Sequence, residues 1–134
     1  MRIKVSHCGI CHSDYNVQTG LWGSVPPCPC VLGHEIVGKV ESVGKLVNRF
    51  KVGELVGASL FHHSCGKCEF CLEGNNGICN NMVKYMRNSS GGFGTHVDIH
   101  QDWTFPIPLS LKPSQVAPLL CAGITAWSPI DHHC

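Results

Sequence analysis

Cys65, Cys68, Cys71 and Cys79 lie together in HHSCGKCEFCLEGNNGIC, with the spacing C-x2-C-x2-C-x7-C. Isolated thiols are usually dispersed and buried as small apolar groups. Four in one short loop, separated by Gly, Lys and Glu, cannot all be core residues. They can surround one ion. Zinc accepts four thiolates in a tetrahedron, and a two-residue gap lets neighbouring sulfurs turn back on the same metal. The loop over 62–82 therefore reads as a closed structural zinc site.

Two other uses of these cysteines fit less well. A disulfide framework needs an oxidising compartment and usually a secretory signal. MRIKVSHCGI has neither an apolar h-region nor a small-residue cleavage site. An iron–sulfur run of the bacterial ferredoxin type has a tighter last gap and a proline after the final cysteine, whereas Asn80 follows Cys79 here. Ten Cys and nine His in 134 residues far exceed ordinary usage. Without a leader, they point to a reducing, cytoplasmic setting and to metal chemistry. Ten Lys and Arg nearly balance nine Asp and Glu, which argues against a nucleic-acid partner, where a basic face is expected. No apolar run approaches the roughly 20 residues of a membrane span, so no membrane partner is expected. The length suits one domain with a modest core, which a metal staple would help.

A second set of donors is dispersed along the chain. Cys11 lies in CGICHSD (8–14), His34 in GHE (33–35) and Cys121 in LLCAGIT (119–125). Each alone is weak, because a lone buried cysteine is usually inert and a lone histidine is usually a hydrogen-bonded core or surface residue. Together, two cysteines and one histidine make a zinc set that leaves a fourth position for water or substrate.

The elements that must carry these donors are short. Strand-like stretches occur at 3–10, 36–43, 54–60 and 93–99, with Gly38 and Gly44 marking bulges or close backbone approach. Many short strands between turn signals predict a β-barrel or sandwich. Residues 72–92 are polar and rich in Asn, Gly and Ser, which predicts a loop. A helix is expected from about Ser114, with Ser114 as its cap and Pro118 in its early turns.

These blocks carry a family resemblance. GHEIVGKVESVGKLV resembles the zinc-site signature of the medium-chain alcohol dehydrogenases: G-H-E, two residues, Gly38, five residues, Gly44, two residues, then Val47. GICHSD, the four-cysteine loop and APLLCAGIT follow in the family order and spacing, and HEIVG and PLLCAGIT look most like the cinnamyl-alcohol-dehydrogenase group. The resemblance runs from about Ile3 to Ile130. It implies a mainly β catalytic domain over 1–130, a GroES-like β-barrel with short helices, with 131–134 as the chain end and the Rossmann domain absent.

By the same resemblance, Cys11, His34 and Cys121 would hold a catalytic zinc, and Cys65, Cys68, Cys71 and Cys79 a structural one, making two zinc ions per chain. Glu35 matches a glutamate beside the zinc that can act as a transient ligand. Asp14 matches the carboxylate that orients the zinc-bound imidazole. Ser13 matches the hydroxyl that takes the substrate proton. His12 matches a position near the cofactor pyrophosphate, and Thr125 one close to the nicotinamide. Trp22 would line the substrate pocket, or else sit in the core or on the surface. The family reaction interconverts alcohols and aldehydes, with zinc as Lewis acid and hydride passing to NAD or, as this resemblance favours, NADP. The implied partners are a small alcohol or aldehyde and, through the cofactor domain, a second copy in a homodimer. Cys8, Cys28, Cys30 and Cys134 match no ligand position. His7, His62, His63, His96 and His100 read as surface or strand residues, and the HHC at 132–134 as a chain end.

Some features depart from the family. SSGGFGTH (89–96) is not the dinucleotide fingerprint G-x-G-x-x-G, since Val97 stands where the last glycine should be. The stretch between Cys79 and Gly91 is shorter than in relatives. Asn16 stands where many relatives carry the histidine that ends the proton relay to solvent. Two functions follow as expectations: the zinc-binding catalytic domain of an NAD(P)-dependent alcohol dehydrogenase, inactive alone, or a non-enzymatic zinc-binding module from a degenerate or fragmentary gene. A zinc-finger-like nucleic-acid reader is disfavoured by the missing basic stripe.

Overall fold

The structure is a computed structural model that describes residues 1–23, 25–59, 61–84 and 90–134. Its strands are β1 (Arg2–Gly9), β2 (Glu35–Ser42), β3 (Leu55–Ala58), β4 (Phe61–His63), β5 (Val83–Lys84), β6 (His96–Asp98) and β7 (Thr104–Pro106). Five form one antiparallel sheet in the order β6-β1-β2-β3-β7, and β4 and β5 form a separate pair.

The partial alternation of IVGKV has a structural cause. Ile36 and Val40 join Ile3, Phe50, Val56, Ala58, Val97 and Ile99 in one core cluster. Val37 belongs to a second cluster with Val116 and Ala117. A central strand buried on both faces reads as a nearly continuous apolar run rather than an alternating one. Gly38 sits in this strand because β1 passes over it: a methyl there would overlap the Lys4 carbonyl oxygen and lie 2.7 Å from Ile3 Cγ2.

The sequence predicts a barrel, and the sheet among the described residues is open. Its edges are β6 and β7, each three residues long, and no ladder between them closes it among the described residues. The helix expected from Ser114 is also broken. Pro113–Val116 forms one turn (α3), Ala117–Leu120 a 3-10 turn and Ala122–His133 a separate helix (α4). Pro118 lacks the N–H that a continuous helix would need, and Cys121, with φ −123° and ψ −77°, is not helical. The predicted loop at 72–92 holds the end of a helical turn at Glu69–Leu72 (α2), a 3-10 turn at Asn76–Ile78 and β5; its residues 85–89 lie outside the described residues. No helix among the described residues is long and apolar enough to cross a membrane.

Candidate metal centres

Among the described residues, two groups of donors are close enough to share an ion. They are Cys65, Cys68, Cys71 and Cys79, and Cys11, His34, Glu35 and Cys121, with the ligand atoms of each group within 4.8 Å of one another. The residues expected in each centre are thus brought together, and Glu35 joins the second.

The four-thiol centre is built locally. Gly66, at φ +68°, turns the chain between Cys65 and Cys68, a conformation that favours glycine. Cys68 precedes α2, and Cys71 lies within it. Cys79 is the buried member. Its sulfur lies 3.6 Å from Cys65 Sγ and 3.9 Å from Cys68 Sγ, and it accepts from the N–H groups of Cys65 (3.4 Å) and Asn81 (3.3 Å). Backbone N–H groups stabilise thiolates. Those of Lys67 and Cys68 bring the Cys65 thiol down to about 6, and that of Cys71 lowers Cys68. Desolvation and the neighbouring thiols push Cys71 up to about 11. Four soft sulfurs with no carboxylate among them suit zinc held for structure.

The second centre is assembled from three distant segments. A helix the sequence reading did not predict, α1 (His12–Thr19), starts at Cys11. The Cys11 sulfur accepts from the Ser13 N–H at 3.5 Å, and the Cys11 N–H donates to Asp14 Oδ2 at 3.1 Å. This reciprocal cap follows capping-box logic with a thiol in place of a hydroxyl. Asp14 is 5% exposed. Its other oxygen, Oδ1, accepts from the Gly33 N–H at 3.0 Å and from His34 Nδ1 at 3.2 Å. A carboxylate on Nδ1 fixes the tautomer with its proton there. The lone pair is then on Nε2, which lies 3.3 Å from Cys121 Sγ. Cys121 Sγ is in turn 3.9 Å from Cys11 Sγ. Ser59 Oγ donates to the Leu120 carbonyl at 2.6 Å and ties the Cys121 segment to the end of β3.

The centre is buried on one side and open on the other. His34 and Glu35 are buried, whereas Cys11 and Cys121 are partly exposed. Burial raises the Glu35 carboxyl, partly offset by His34. Desolvation and the nearby Cys11 push the Cys121 thiol to about 11. Two thiols and an imidazole with its second nitrogen held by a carboxylate suit a zinc ion with an open position.

The remaining expected site residues fall around this centre. Ser13 is partly buried, its hydroxyl 3.5 Å from Cys11 Sγ. His12 is exposed on α1, stacked edge-on against Tyr15, and Thr125 is exposed on α4. Trp22 is 52% exposed. Gly33 went unassigned in the sequence reading, yet its N–H helps to hold Asp14, and its φ of +94° explains the glycine before the histidine. Gly9 was also missed: it pairs with Glu35 across β1 and β2. Cys8 packs against the larger core cluster, and burial pushes its thiol up to about 11, which suits an inert structural cysteine.

The chain and its fold have counterparts among known proteins. A family profile described as the alcohol dehydrogenase GroES-like domain matches residues 1–109. Cinnamyl alcohol dehydrogenase 8 of Arabidopsis thaliana is 41% identical over 140 residues, covering 99% of this chain and 39% of that protein. An alcohol dehydrogenase of Geobacillus stearothermophilus is 37% identical over 128 residues, covering 96% and 38%. Among solved structures, a cinnamyl alcohol dehydrogenase of Sorghum bicolor superposes with a TM-score of 0.92 at 39% identity, covering 98% of this chain and 40% of that one. The Helicobacter pylori CAD complexed with NADP(H) does so with a TM-score of 0.90 at 33% identity, covering 97% and 40%. The chain therefore spans about two-fifths of the length of the relatives it matches. Sequence match and superposition agree that this chain belongs to the alcohol dehydrogenase family with a GroES-like N-terminal domain, in its cinnamyl-alcohol-dehydrogenase-like group.

Proposed function

We propose that the chain is the zinc-binding catalytic domain of an NAD(P)-dependent alcohol dehydrogenase that interconverts primary alcohols and aldehydes of the cinnamyl type. The observation that carries this reading is the convergence of Cys11, His34 and Cys121, with the imidazole held by the buried Asp14 carboxylate. A zinc ion there supplies Lewis acidity to the substrate oxygen. The chain's own residues do the rest. Asp14 keeps the His34 proton on Nδ1, so that Nε2 can act as a ligand. The Ser13 hydroxyl, beside Cys11, accepts the substrate proton and passes it on without holding charge. Asn16 cannot titrate, so the relay beyond Ser13 ends in water. His12 and Thr125, both exposed, would contact the dinucleotide cofactor, for which NADP is the expected choice.

Cys65, Cys68, Cys71 and Cys79 carry a second zinc that fixes the 62–82 loop, giving two ions per chain. The full-length protein pairs through its cofactor domain, and a reducing cytoplasm keeps the thiols available. Turnover needs a bound dinucleotide to take or give the hydride.

The test is metal analysis of protein purified in reducing buffer, together with NADPH-dependent aldehyde reduction by the product the native cell makes. Two zinc ions per chain and reduction of cinnamyl-type aldehydes are expected. Absence of zinc from carefully handled protein sinks the reading.

A further inference from the structure

We propose that Gly9 is a positioning residue: its missing side chain leaves the space in which the Glu35 carboxylate is held beside β1, so that it does not become a fixed fourth ligand at the position that Cys11, His34 and Cys121 leave open. The proposal rests on the zinc reading of that centre.

Three observations carry it. Gly9 and Glu35 are directly opposite in the antiparallel pairing of β1 and β2. Opposed residues project on the same face, with their Cβ atoms about 5 Å apart, and so compete for one space. A methyl at Gly9 would overlap Glu35 Oε2 and lie 2.9 Å from its Cδ and 3.1 Å from its Cβ. Gly9 is not among the glycines with positive φ, so its backbone does not demand glycine. What demands it is the room taken by the carboxylate.

The third observation is where a displaced carboxylate can go. Glu35 is 4% exposed, so the solvent route is narrow. A carboxylate oxygen already lies within 4.8 Å of the Cys11, His34 and Cys121 donor atoms. Filling the Gly9 space drives the carboxylate towards those donors, where it becomes a fourth ligand. An internal ligand at high effective concentration competes with any external one. Glycine at position 9 therefore keeps the centre at three protein ligands, and the cost of a side chain there is a blocked site rather than a lost metal.

The test uses the full chain loaded with cobalt(II) and titrated with imidazole, followed by visible absorption. The four-thiolate centre is closed and does not respond, so the titration reads the three-ligand centre. Gly9→Ala should weaken imidazole binding about tenfold while cobalt stays bound. In Gly9→Ala/Glu35→Ala the loss should vanish, and the affinity should equal that of Glu35→Ala alone. Unchanged imidazole affinity in Gly9→Ala, or a loss that persists in the double variant, overturns the proposal. Should Gly9→Ala fail to fold, the double variant carries the test alone: it must fold and bind imidazole as Glu35→Ala does, and its failure is equally an overturn. A wild-type chain with no imidazole-sensitive cobalt overturns the zinc reading itself, which separates the two failures.

Discussion

Asp14→Asn is the most informative single substitution at the dispersed centre. The side chain keeps its size, so packing is unchanged, but one acceptor oxygen becomes a donor. Asp14 receives three hydrogen bonds, two on Oδ1 from Gly33 and His34 and one on Oδ2 from Cys11. The best placement of the amide leaves its oxygen on Gly33 and His34 and turns its NH2 towards the Cys11 N–H. One charge-assisted bond is lost, a donor faces a donor, and the two surviving bonds become neutral. Hydrogen bonds to a charged group contribute about 1.5–3 kcal/mol, and an orphaned buried donor costs about 1–3 kcal/mol. A loss of about 2–4 kcal/mol of stability follows, read as a lower urea midpoint at constant slope. The imidazole also loses the partner that fixes its tautomer, so zinc affinity at this centre should fall roughly 10–100-fold in competition with a chromophoric chelator. Ser13→Ala is the control, since its hydroxyl makes only a 3.5 Å contact with a sulfur; it should leave both readouts nearly unchanged. If Asp14→Asn moves stability by less than about 0.5 kcal/mol and leaves zinc affinity unchanged, the carboxylate is not what holds the centre together.

Other perturbations separate the remaining claims. Cys65→Ser should reduce the zinc content from two ions to one and expose the 62–82 loop to proteolysis. Cys121→Ser should also leave one ion, with that loop still protected; equal protease sensitivity in the two variants would contradict separate centres. Gly38→Ala puts a methyl onto the Lys4 carbonyl and Ile3, and overpacking at a strand crossing should cost about 1–3 kcal/mol in urea denaturation, with the cysteines' metal stoichiometry intact. His62 has its proton affinity lowered, chiefly by burial and then by His63. Above its unfolded value of 6.5 both states are neutral there, and below it the unfolded chain takes up the proton first, so stability falls as pH drops through and below that value. His62→Gln should flatten this acid limb relative to the wild type, and an unchanged slope would show that His62 does not contribute to it.

The two centres differ in how far the sequence exposes them, for a physical reason. Cys65, Cys68, Cys71 and Cys79 are local, and local spacing is visible in a string of letters. Cys11, His34 and Cys121 are joined by sheet pairing and by the Ser59–Leu120 hydrogen bond, so residue types alone leave them as three weak signals; only the resemblance to a family links them. α1 escaped because its cap is a thiol, outside the usual Ser, Thr, Asp and Asn, and because its residues are mostly polar. The single long helix expected after Ser114 failed at Pro118 and Cys121, where the chain trades helical continuity for presenting a sulfur.

Gly9 shows where such reading stops. Its importance depends on facing Glu35, and that register follows irregularities in the β1–β2 ladder between Arg2 and Ile3 and between Val5 and His7. Each one-residue slip would turn the opposing side chains to the other face. The same dependence makes the dispersed centre the more fragile of the two. Slippage of β1 would carry away Gly9 and Cys11 together, while β2 kept Glu35 and, just before the strand, His34. The four-thiol loop, whose donors share one short segment, would survive that slip intact. Metal retention at the cysteine loop is therefore no evidence of a formed three-ligand centre, and only a probe of the open position, such as imidazole on cobalt, reports whether the sheet has placed its residues in register.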